Sequence, residues 1–144
     1  MSVKQISVFL ENKPGTLEEM CEVLAKNNVN IRAMSLAETK DFGIARVIAD
    51  DEFQASNVLK AAGFVSSLTS VLAVEISDEI GALSRTLKLF AEGNINIEYM
   101  YASLGGKDSD TAYMIFRVSD TRNSEAALIA TGLKPLSQED ISEI

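Results

Sequence analysis

Histidine is absent from this chain, cysteine occurs once and proline twice. Without histidine there is no Ser-His or Cys-His pair, no imidazole metal site and no use of the commonest general base. A single thiol also removes thiolate zinc centres. Basic residues are the minority, 13 Lys and Arg against 21 Asp and Glu for a net charge of −8, and they are scattered rather than striped. A nucleic-acid binder would show the opposite pattern. No apolar run approaches the roughly 20 residues of a membrane span. The start, MSVKQISVFL, lacks the basic segment, long apolar block and cleavage site of a signal peptide. The expectation is a cytoplasmic protein with no catalytic residues, metal or cofactor, and with neither nucleic acid nor membrane as partner.

What is present is a repeat. ENKPGTLEEM at 11–20 and SDEIGALSRT at 77–86 each place a glycine and a leucine where an alternating apolar run gives way to a helical one. The shift of 66 that carries Gly15 to Gly81 also carries Leu17 to Leu83, Ala25 to Ala91, Asn28 to Asn94, Asn30 to Asn96 and Met34 to Met100. In a chain of 144 residues this indicates two very small domains, 1–70 and 71–144. Apolar residues make up 47% of the chain, enough for real cores, but each half alone buries a modest fraction of its surface. The halves are therefore expected to lean on each other.

VKQISVFL at 3–10 alternates as a half-buried strand. Leu17, Met20, Cys21, Leu24 and Ala25 then form the stripe of an amphipathic helix over Thr16 to Asn27, with Thr16 and Glu19 spaced for a capping box. That spacing makes Cys21 a small apolar core residue rather than a reactive thiol. After the NNVN turn, IRAMSLAET and FGIARVIA read as two strands. A second helix follows, capped by Asp51 and ended by Gly63, and FVSSL makes a short fourth strand. The second half repeats the order: VLAVEIS, a helix over Ala82 to Glu92, INIEYMYASL, TAYMIFRVS, a helix over Ser124 to Thr131 ending at Gly132, and a short LKPL strand. SQEDISEI reads as a loose tail or one helical turn. The fold class is α+β: two ferredoxin-like βαββαβ modules, each a four-stranded antiparallel sheet with helices on one face. The topology leaves each second strand on an edge. Pairing IRAMSLAE with INIEYMYA would join the modules side by side into one eight-stranded antiparallel sheet, and no Gly/Ser/Pro-rich linker near residue 70 argues for independent beads.

The succession of a strand, an N-x-P-G-x-L corner, a helix, and N-x-N-I opening the next strand resembles the ACT domain, a βαββαβ module that binds amino acids and regulates metabolic enzymes. The match covers nearly all of both halves. It is close at Asn12, Pro14, Gly15, Leu17, Val29, Asn30 and Ile31, and looser in the second half, where Asp78 and Ile80 take the asparagine and proline positions ahead of Gly81, Leu83, Asn96 and Ile97. The resemblance implies a free amino acid held at the interface between two modules. Its ligand-binding residues would be Leu10, Asn12, Lys13, Pro14, Gly15, Thr16, Asn30 and Ile31 from the first half. Ile76, Asp78, Glu79, Ile80, Gly81, Ala82, Asn96 and Ile97 would serve in the second. In this arrangement the Asn12 corner faces Asn96 and the Asp78 corner faces Asn30. The chemistry suits a zwitterion, because a glycine admits close approach of backbone to ligand and the free N–H groups at a helix start attract a carboxylate. Asn12 or Asp78 can accept from the ammonium. Serine-regulated relatives place a histidine where Leu10 and Ile76 stand here, so a longer or more apolar ligand side chain fits better.

The family also implies an output read by another protein, with a metabolic enzyme as partner and a homodimer as a compatible assembly. One alternative is a regulatory subunit of a biosynthetic enzyme such as acetolactate synthase. Another is a small enzyme on a ferredoxin-like scaffold, which would have to draw its acid and base from carboxylates, lysines and tyrosines. Three further features read as structure. LGGKDSD at 104–110 lacks the upstream glycine of a phosphate loop, since Tyr101 stands there, and reads as a hairpin loop. Tyr99 and Tyr101 share the parity of Ile97, a placement open to pocket-lining residues but at strand spacing more often that of core aromatics. Glu18, Glu19 and Glu22 form a solvated helix face.

Overall fold

The computed structural model describes residues 2–103 and 110–143. It divides into two compact units: Lys4–Thr69, and the chain from Ser70 onward together with the first few residues. The LGGKDSD segment falls almost wholly outside the described residues.

The first unit runs β1 (Val3–Glu11), α1 (Thr16–Lys26), β2 (Ile31–Glu38), β3 (Phe42–Ala49), α2 (Glu52–Ala61) and the opening of β4 (Val65–Ser77). Its strands lie in the order β2-β3-β1-β4. Ile6, Val8 and Leu10 of β1 and Ala45, Val47 and Ala49 of β3 point to one face, where Met20 and Leu24 of α1 and Ala55 and Leu59 of α2 cover them. Cys21 is half-buried at the margin of this core.

The second unit takes the rest of β4, then α3 (Ala82–Glu92), β5 (Ile97–Ala102), β6 (Thr111–Val118), α4 (Thr121–Ala130), β7 (Pro135–Leu136) and α5 (Gln138–Ser142). Here β4 lies between β6 and β7, and β5 lies outside β6. Its core gathers Leu72, Val74, Phe90, Phe116, Val118 and Leu128, with the Phe90 and Phe116 ring centroids 4.6 Å apart. The tail is a helical turn, α5, closed by a capping box between Ser137 and Asp140.

Both modules have the expected βαββαβ order, but among the described residues the strands number seven rather than eight. FVSSL and VLAVEIS are parts of one strand, because no glycine or proline interrupts residues 65–77 and the backbone stays extended throughout. Within the units, β2 pairs with β3 and β5 pairs with β6.

A second difference concerns register. Both second strands carry a bulge, between Ile31 and Ala33 and between Ile97 and Tyr99. An extra residue reverses the side-chain alternation beyond it. Met100 therefore meets Phe116 on the core side, while Tyr99 and Tyr101 lie opposite Arg117 and Ile115 on the other face, their rings stacked at 6.5 Å. They face away from the Phe90–Phe116 core, on the side where Ile115 is fully buried. Helix α4 also starts earlier than its apolar stripe, at Thr121, because the Asp120 carboxylate accepts from the Asn123 amide.

Candidate functional site

Each corner is built by a glycine that L-residues could not readily replace. Gly15 and Gly81 stand immediately before α1 and α3 with φ of 92° and 86°, in the left-handed region. Neither helix start receives a side-chain cap. The Thr16–Glu19 capping box is not formed. The cap position belongs to Gly15, and the Thr16 hydroxyl donates backwards to the Glu11 carbonyl at 2.9 Å and the Lys13 carbonyl at 3.1 Å. First-turn amides of α1 are thus left to whatever approaches from outside, at the positive end of the helix.

The first corner leans on the β2–β3 hairpin. The Asn12 amide donates to the Asp41 carbonyl at 3.0 Å, and its side-chain nitrogen reaches the Thr39 and Lys40 carbonyls at 3.5 and 3.4 Å. This fixes the side chain with Oδ1 as its remaining acceptor. A cavity of about 80 Å³ opens beside it, lined by Leu10, Asn12, Lys13 and Thr16 together with Leu36, Glu38 and Gly43. Lys13 pairs with Glu11 at 3.1 Å, while Pro14 and Gly15 are exposed. Asn30 and Ile31 lie at the far end of α1, outside that cavity. The Asn30 amide donates to the Asp50 carboxylate at 2.9 Å, and Ile31 packs at the margin of the core.

The second corner repeats the backbone with different side chains. The Asp78 amide donates to the Asp110 carbonyl at 2.7 Å, as Asn12 does to Asp41. Ala82 has no hydroxyl, so its own amide turns back to the Glu79 carbonyl at 3.2 Å. The Glu79 carboxylate accepts from Ser77 and pairs with Arg85, whose guanidinium lies 3.1 Å from the place a Gly81 Cβ would take. Sequence reasoning passed over Arg85; its signal is that the same shift maps it onto Glu19, a reversal of charge. Ile76 and Ala82 line a cavity of about 330 Å³ with Arg85 and Thr86, and Ile80 is fully exposed. Asn96 lines a separate cavity, and Ile97 packs against the second core.

Among the described residues, no three His, Cys, Asp or Glu side chains are arranged to hold a metal ion, and no helix is long and apolar enough to cross a membrane. Burial, and secondarily the charge of Glu18, pushes the Cys21 thiol above its ordinary pKa. The Asp140 carboxyl is held below the usual carboxylate range, chiefly by the Ser137 amide and then by its hydroxyl.

A paired ferredoxin-like α+β protein whose two modules each present an uncapped helix start behind a left-handed glycine is the class that this architecture defines. The chain belongs to the ACT domain pair family, whose model matches residues 1–144. A solved protein of Bacteroides thetaiotaomicron is 35% identical, with 100% of this chain and 98% of that one covered and a TM-score of 0.91. The regulatory subunits of aspartate kinase from Thermus thermophilus, in a ligand-free form, and from Thermus flavus share the fold at 17% identity. Their TM-scores are 0.65 and 0.63, with 91% and 92% of each chain covered. A search of curated proteins gave no match.

Proposed function

We propose that the protein is a non-catalytic sensor that binds a free amino acid at its duplicated corners and passes the bound state to a partner enzyme. The observation that carries this reading is the pair of uncapped helix starts behind Gly15 and Gly81. A ligand carboxylate satisfies the first-turn amides, and the Oδ1 of Asn12 or the carboxylate of Asp78 accepts from the ammonium. Membership of a regulatory family supports the assignment. A clamped ligand shifts the arrangement of the modules by its difference in affinity for the two states, and the partner reads that shift.

Thermal melting in the presence of each of the twenty free amino acids tests this directly, since a ligand that binds only the folded state raises its stability. At least one amino acid at a few millimolar should raise Tm. Twenty unmoved melting curves would remove the sensor reading. Co-purification with a larger catalytic chain from the native host would identify the partner.

A further inference from the structure

The two modules also differ where the third strand of each passes into its second helix. Beyond the hairpins the repeat continues with a shift of 69, so that Asp50, Asp51 and Gln54 correspond to Ser119, Asp120 and Asn123. Asp51 and Asp120 confirm the alignment: each caps its helix, at φ −131° and −132°, by accepting the amide three residues on. In the first unit the Asp50 carboxylate fills the gap between the start of β2 and the start of α2. Its Oδ1 accepts the Asn30 and Asp51 amides, both at 2.9 Å, and its own amide donates to the Asn30 carbonyl. Gln54 closes the same gap from the other side by donating to the Asn27 carbonyl at 2.8 Å.

In the second unit both fillers are shortened. Ser119 replaces the carboxylate, and Asn123 turns its amide to the Asp120 Oδ2 at 2.6 Å. Among the described residues no corresponding bond links Ser119 to the Asn96 or Asp120 amide. What remains is a cavity of about 180 Å³ lined by Gly93, Asn96, Ser119, Asp120, Asn123 and Ser124.

We propose that this cavity binds the carboxylate of a small organic acid in the place that Asp50 occupies in the first unit. One carboxylate oxygen accepts the Asn96 and Asp120 amides, as Asp50 Oδ1 accepts those of Asn30 and Asp51. The Asp120 charge is no bar, because Asp51 stands in the same relation to Asp50. The surroundings favour an anion more than in the first unit. The first turn of α4 carries Arg122 and no acidic residue, whereas α2 has Glu52 there. Ser119 and Asn123 make room and set the size limit, admitting a short acid and excluding a bulky one. The site needs no ammonium and uses neither glycine corner, and of the residues that the family resemblance implies it shares Asn96 alone.

Sodium acetate is the probe, compared with sodium chloride at equal ionic strength by thermal melting. Acetate should raise Tm above the chloride control in the parent protein. Ser119→Asp should raise Tm by itself and erase the difference between the two salts, because the new side chain supplies the missing carboxylate. Asp50→Ser should lower Tm and enlarge the acetate response by creating a second such cavity, which keeps the test decisive if the other variant folds poorly. Equal melting in the two salts, or an acetate response that survives Ser119→Asp, would overturn the proposal. An acetate response without any response to the twenty amino acids would leave this site standing and sink the sensor reading.

Discussion

Asn28 and Asn94 hold the same left-handed backbone, φ 60° and 55°, two residues past the ends of α1 and α3. Each lets the following residue close its helix: the Val29 amide reaches the Leu24 carbonyl at 3.0 Å, and the Ile95 amide reaches that of Phe90 at 2.9 Å. Asparagine tolerates this conformation where most L-residues are strained by roughly 1–2 kcal/mol. Replacing either with glycine should leave stability unchanged or slightly raised, while alanine should cost about 1 kcal/mol. Urea unfolding of the four single variants measures both. Equal stability of the alanine and glycine variants would show that the turn is unstrained.

Phe90 is almost completely buried and stacks at a tilt on Phe116. Truncating a buried phenylalanine removes both apolar burial and close packing, a loss of about 3–5 kcal/mol. Phe90→Ala should therefore unfold the second unit at much lower denaturant, whereas Phe90→Leu should lose considerably less. A chemical-denaturation midpoint that hardly moves in Phe90→Ala would contradict the core assignment.

The C-terminal turn should come loose in acid. Because the Ser137 amide and hydroxyl hold the Asp140 carboxyl below its ordinary pKa, their stabilisation is fully present above that ordinary value. It is lost as pH falls through the depressed one. Below that window α5 should fray and expose Ile141, which is otherwise buried. Amide exchange of residues 138–142 against pH follows this, and Asp140→Asn should abolish the pH dependence.

Cys21 should react slowly. Burial and then the Glu18 charge raise its thiol pKa, so little thiolate exists at neutral pH. Labelling by a disulfide reagent should run well below the rate of a free cysteine peptide, with its midpoint displaced to higher pH. Glu18→Gln should bring that midpoint partly back. A rate equal to the peptide's would show that the thiol is open to solvent.

Much of this protein is set by local rules that the sequence displays. The 3.6-residue stripe of Leu17, Met20 and Leu24, the glycines at 15, 63, 81 and 132 that must adopt positive φ, and the Asp51 cap act over a few residues, so the corners and helices are legible without coordinates. Repetition of those signals gave the two modules and the family pattern together. Tertiary structure decided what depends on pairing across strands and on filling space. Fusion of FVSSL with VLAVEIS into β4 required neighbours on both sides of an uninterrupted extended segment. The bulge after Ile97 turned Tyr99 and Tyr101 away from Phe116, because the register of β6 rather than the alternation of β5 fixes which side chains face that ring. Thr16 bonds backwards into the corner instead of capping α1, since the Glu11 and Lys13 carbonyls come within its reach only when the corner is folded. The gap beside Ser119 is of the same kind: Ser119 and Asn123 line one cavity with Asn96 only where β5 and α4 begin side by side.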